Sequence, residues 1–243
     1  MRDLGCALKA HDGVTVVSSG KARDASGEPA RVRHGPPTTS SGEWKLAYAD
    51  VMSLYLSGNE AADELLSTDP LALLVGMVLD QQVPLERAFR SPFDLQERLG
   101  GTLDAEAIAH MDPDSLAELF SLRPALHRFP KSMATRVQDV CRVIVESYGG
   151  DPAGIWTSAP DGKTLLANVK ALPGFGEQKA RIFVALLGKQ LEVQPPGWKK
   201  ASAPYSDAGS FRSVADINSP ESLAKVRQFK QKMKAEAKAS APA

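Results

Sequence analysis

Cysteine is scarce in this chain, and so are histidine, strand patterning and long apolar runs. Cys6 and Cys141 are the only cysteines among 243 residues, too few for a four-cysteine zinc or iron–sulfur site and thin for a disulfide scaffold. Cys141 falls within an apolar helical pattern and reads as a buried, inert thiol. The four histidines, His11, His34, His110 and His127, show neither HxH nor HExxH spacing, so no metal site and no cofactor is expected. The longest apolar run, Leu71 to Leu79, falls far short of the roughly 20 residues that a membrane span requires. Residues 1–20 hold no long apolar stretch. The expectation is therefore an intracellular, cytoplasmic protein with no secretory signal and no membrane partner. The formal net charge is zero, so only the distribution of charge is informative.

What is present divides into three stretches. Residues 1–43 are rich in Gly, Ser, Pro and charge, with one strand-like piece at Val14–Val17; such a segment buries too little apolar surface to offset its ordering entropy and is expected to be disordered. Its composition also suits translated upstream sequence, with Met52 a candidate start. Residues 44–200 read as one all-α domain. Asn59–Leu66 is a short amphipathic helix, and Asp69–Pro70 open a helix over Leu71–Gln82, apolar on nearly every face before Asp80. Asp104 and Asp112 cap Ala105–His110 and Asp114–Phe120, and a long helix from Met133 to Tyr148 stops at Gly149–Gly150. Thr164–Leu172 and Glu177–Gln190 follow. Residues 201–243 read as a Pro/Ser-rich linker and a basic helix over Pro220–Ala237, where Lys225, Arg227, Lys230, Lys232 and Lys234 face only Glu221 and Glu236.

The stretch that carries chemistry is Leu172–Pro173–Gly174–Phe175–Gly176–Glu177–Gln178–Lys179–Ala180, between two amphipathic helices. Gly174 and Gly176 permit positive φ and close backbone approach, and Pro173 stiffens the turn. The turn presents unpaired amides at a helix N-terminus, where the macrodipole favours an anion. Apolar stripes on both helices (Leu165, Val169 and Leu172 against Ala180, Phe183, Val184 and Leu187) let the hairpin pack as a unit. From Lys163 to Lys200 there are seven basic residues against two acidic ones. That modest basic footprint suits a nucleic-acid backbone. A plain αα-hairpin with a tight glycine turn is the competing reading.

The sequence resembles the helix-hairpin-helix (HhH-GPD) superfamily of base-excision DNA glycosylases. Leu172–Ala180 matches the family hairpin, and Val78–Val83, at the end of the apolar helix, resembles its glutamine-containing segment, within a matching region from about Met52 to Pro196. The resemblance implies double-stranded DNA with a damaged or mispaired base as the partner. It also implies a base flipped into a pocket, with Gln82, or Gln81 beside it, filling the stack. The hairpin residues Leu172, Pro173, Gly174, Phe175, Gly176, Gln178 and Lys179 would contact DNA, Lys179 reading either as a phosphate contact or as a solvated helix residue.

Two departures shape the expected activity. The nucleophilic lysine of bifunctional members falls on Gln178, with Lys179 one place later, which implies a hydrolytic enzyme and not a lyase. The family's catalytic aspartate falls on Gln194, a neutral amide that cannot serve as a general base. Glu192 and Asp80 are the carboxylates available to replace it; a charge ending an apolar helix, as Asp80 does, needs solvent or a partner. No cysteine follows Cys141, which implies no iron–sulfur cluster. Trp198, Phe89, Phe93, Phe129 and Tyr205 could each supply a stacking face. A monofunctional DNA N-glycosylase, a non-catalytic binder of damaged or distorted DNA, and a helical protein-interaction domain are the readings that stand.

Overall fold

The computed structural model describes residues 54–239, with side chains as far as Glu236. The 1–43 extension, its Val14–Val17 piece and Met52 lie outside the described residues. The described chain is helical, without a strand: α1 (Glu60–Thr68), α2 (Pro70–Leu79), α3 (Leu85–Arg98), α4 (Ala105–His110), α5 (Pro113–Ser121), α6 (Pro130–Tyr148), α7 (Gly154–Thr157), α8 (Gly162–Ala171), α9 (Glu177–Gln190), α10 (Trp198–Ser202), a 3-10 turn (Val214–Asp216) and α11 (Pro220–Ala239).

Caps set most helix starts. Asp69 Oδ1 accepts from the amides of Leu71 and Ala72 at 2.8 and 3.1 Å. Asp104 and Asp112 do the same for Ala107 and Ser115 at 2.7 and 2.9 Å. Gly149, with φ +61°, terminates α6 in the left-handed region.

One half of the molecule packs α1, α3 and α6 around α2, with α4 and α5 laid on α6; the other packs α8, α10 and the 3-10 turn on α9. Every residue of α2 is buried. Cys141 is fully buried on α6, and burial pushes its thiol up to about 12.

Three features depart from the sequence reading. α2 ends at Leu79, not Gln82, because the chain turns at Asp80 and Gln82 takes φ +55°. α3 was not expected; Pro92 lies inside it, yet Ala88, Phe89, Pro92 and Leu95 form a buried stripe that holds it. Val214, Ala215, Ile217 and Val226 are buried in the same core as α9, so the chain beyond residue 200 continues the packed body.

Candidate nucleic-acid interface

The hairpin is held from beneath and open above. Leu172 and Phe175 are buried, 2% and 4% exposed, and the Phe175 amide donates to the Leu172 carbonyl at 3.1 Å to close the turn. Phe175 meets Phe183 edge-on at 5.8 Å. Pro173 is half-buried, while Gly174, Gly176, Glu177 and Gln178 face solvent. Gly174 has φ +85°, and a Cβ there would lie 2.6 Å from Cδ of Arg136. Gly176 needs no such freedom: it caps α9 at φ −72°, ψ 170°, and supplies no side-chain cap. The expected positive φ thus holds at Gly174 alone. The uncapped first turn of α9 offers its amides to an anion, and the absent Cβ at Gly176 leaves them uncovered. Glu177 beside them is ion-paired to Lys170 and Arg181, and those hydrogen bonds hold its carboxyl below the ordinary range.

Lys179 is turned inward. Its Nζ donates to the carbonyls of Met77 and Val78 at 2.7 and 3.2 Å, closing the C-terminus of α2 where the helix dipole favours a cation. Burial lowers its pKa, and nearby Asp80 opposes that shift. The expected phosphate or solvent contact is therefore replaced by a tie between hairpin and central helix, which sequence spacing could not reveal.

Asp80 follows at the C-cap of α2, its amide donating to Gly76 at 3.0 Å. Its carboxylate accepts no hydrogen bond from any described residue. Burial raises its pKa, with Lys230 and Lys179 pulling the other way. It opens onto a cleft of about 460 Å³ lined by Met77, Lys179 and Ile182, the hairpin glycines, Ser213 and Lys230. The wall at Ser213 is fixed by Asp216, whose carboxylate takes Lys189 Nζ at 2.6 Å and the amides of Arg212 and Ser213 at 2.8 and 3.1 Å. Sequence reasoning passed over both Asp216 and Lys189, which lie 27 residues apart.

The two glutamines separate. Gln81 Nε2 donates to Val78 O at 2.8 Å, and its Oε1 accepts from Arg136 at 3.2 Å, so its side chain is pinned. Gln82 is exposed on a left-handed backbone. Behind them His127, 2% exposed, bonds the Gln81 carbonyl at 2.8 Å and accepts from the Phe129 amide at 3.1 Å. Phe129 is 44% exposed, an unusual state for a large aromatic, with the Arg128 guanidinium 4.8 Å from its ring centre. Of the aromatics singled out in the sequence, Phe89 and Trp198 are buried; Trp198 lies where a Cβ on Gly188 would be, 2.4 Å away.

Glu192 and Gln194 do not line the cleft that holds Asp80. Glu192 is exposed at φ +54°, and Gln194 Nε2 donates to the Gly188 carbonyl at 2.7 Å, closing the end of α9.

A helical body with an open Gly-x-Gly hairpin and a cleft beside it has the architecture of the helix-hairpin-helix class. The family model for the HhH-GPD superfamily base excision DNA repair protein matches residues 75–239, and the chain belongs to that superfamily. The match reaches past Pro196 into α11, in keeping with the core that continues there. No curated protein sequence matches the chain. Among the described residues no helix is long and apolar enough to cross a membrane.

Proposed function

We propose that this base excision repair protein is a monofunctional DNA N-glycosylase in which Asp80 takes the part of the missing family carboxylate. The observation that carries the reading is Asp80 itself: the cleft beside the hairpin holds two carboxylates, and Glu177 is already bound by two cations. Asp80 is left with a free carboxylate in a partly dry setting, where a charge acts more strongly than in water.

In the proposed cycle the first-turn amides of α9 bind a phosphate, and Gln82 enters the stack as the target base leaves it. As the glycosidic electron pair departs with the base, which takes up a proton from solvent, the Asp80 carboxylate offsets the positive charge that develops on the sugar. It then accepts a proton from the water that attacks the anomeric carbon. Lys179, held on two carbonyls, is not presented as a nucleophile, which supports hydrolysis over a Schiff-base lyase.

The test is single-turnover excision on duplexes carrying uracil, 8-oxoguanine, hypoxanthine or 3-methyladenine. Strand breaks that appear only after alkali are expected on at least one of them. Asp80→Asn should slow that reaction by about 10²–10⁴-fold, the range for loss of a positioned base. Gln194, an amide at the family's aspartate place, favours a second reading, a binder of damaged DNA without catalysis. Lesion-preferring binding with no excision on any substrate would establish the binder.

A further inference from the structure

The C-terminal helix α11 divides into an anchored half and a free half. Ser222 Oγ accepts from the amides of Asn218 and Ser219, each at 2.9 Å, and Val226 is buried. From Lys230 to Glu236 every side chain is exposed. A solvated lysine-rich helix is the ordinary explanation of such a stretch, but the cations here are not equivalent. Lys225 lies over the Phe211 ring at 4.6 Å, and Lys232 reaches Glu236 at 3.9 Å. Arg227, Lys230 and Lys234 stand apart from these: at spacings of three and four they share one face.

That face leads to the site. Arg227 pairs with Glu86, four residues past Gln82 at the start of α3. Lys230 lines the same cleft as Gly174 and Gly176 and acts electrostatically on Asp80. Lys234 lies one turn farther, about 6 Å along the axis, with no partner among the described residues. From Arg227 to Lys234 the row spans about 10 Å, roughly the rise of three nucleotides along one strand. An anionic backbone seated on the α9 amides would enter the cleft that Lys230 lines, and the row continues from there. The Arg227–Glu86 pair is exposed, so little opposes exchange of the carboxylate for phosphate.

We infer that the Arg227–Lys230–Lys234 face of α11 is a second phosphate-binding surface, gripping the backbone of the duplex that the hairpin holds. The inference rests on the hairpin's engagement of DNA, though not on catalysis.

The experiment is equilibrium binding of the full chain to an undamaged duplex between about 50 and 200 mM salt, the range in which phosphate contacts are resolved. Each phosphate contact contributes about 0.9 to the slope of log K against log salt. Lys230→Gln/Lys234→Gln should therefore lower that slope by about 1.8. Lys225→Gln/Lys232→Gln removes equal charge from other faces and should change it far less. Equal shifts in the two double variants would show a diffuse charge effect and overturn the inference. An unchanged slope in the first variant, with binding by the unaltered chain intact, would overturn it alone. No salt-dependent binding by the unaltered chain would overturn the hairpin reading and this inference together.

Discussion

His127 joins Gln81 to Phe129: its Nε2 lies 2.8 Å from the Gln81 carbonyl, and its Nδ1 accepts the Phe129 amide at 3.1 Å. Because the Phe129 amide is a donor, Nδ1 accepts, which leaves Nε2–H to donate to the Gln81 carbonyl. The turn bearing Gln82 and the loop bearing Phe129 are thereby held together by one buried ring, whose partner Gln81 lies 46 residues away.

Replacing that ring with Phe should cost about 1–3 kcal/mol, because a part-buried carbonyl and an amide both lose their partner. It should also loosen the presentation of Gln82. The fall in Tm measures the first effect, and 2-aminopurine fluorescence beside a lesion measures the second. A variant as stable as the original would show that water replaces the ring at no cost.

Asp80→Asn should separate activity from stability. Burial raises the folded pKa above the ordinary 3.8, so the folded state holds its proton more tightly than the unfolded chain. Between 3.8 and the raised value, stability falls as pH rises, and above it the burial penalty is fully present. The neutral amide escapes that penalty. At neutral pH the variant should melt at the same temperature or higher while losing the proposed excision, and the acid limb of that activity in the unaltered protein should lie above the usual aspartate range. A variant that melts markedly lower would argue that Asp80 is structural.

Lys179→Met removes the cation that closes α2 and should cost about 1–2 kcal/mol. Borohydride treatment of the unaltered chain with abasic-site DNA should trap no covalent adduct, since the amine is engaged with two carbonyls. A trapped species that disappears in Lys179→Met would make the protein a lyase.

The two hairpin glycines should behave differently. Gly174→Ala places a methyl group at φ +85° against Arg136 and should cost about 1–3 kcal/mol as well as DNA affinity. At Gly176 the backbone is ordinary and the space open, so Ala should leave the melting temperature nearly unchanged. DNA affinity should still fall, because the methyl group fills open space through which a phosphate would approach the first-turn amides. Urea unfolding and duplex binding on the same two preparations test the contrast.

Local signals made much of this fold legible in the sequence. The limits of Glu177–Gln190 and the caps Asp69, Asp104 and Asp112 follow from residues a few positions apart, and the hairpin motif is contiguous. Helix α3 drew no assignment from the sequence; Pro92 lies inside it, and its buried stripe compensates for the missing amide. The roles of Lys179, His127 and Asp216 depend on partners 102, 46 and 27 residues away. No periodicity encodes such pairings. The same distance effect left Gln81 and Gln82 indistinguishable until Arg136 was seen to hold only the first.

The backbone at residue 82 sets reach against ease. A non-glycine residue at φ +55° is strained, and Asn or Gly would occupy that conformation more comfortably than Gln. Neither extends as far into a gapped base stack. Shortening this side chain should therefore make the apoprotein firmer and the proposed DNA complex weaker, so a screen for thermal stability alone would discard the side chain proposed to fill the stack.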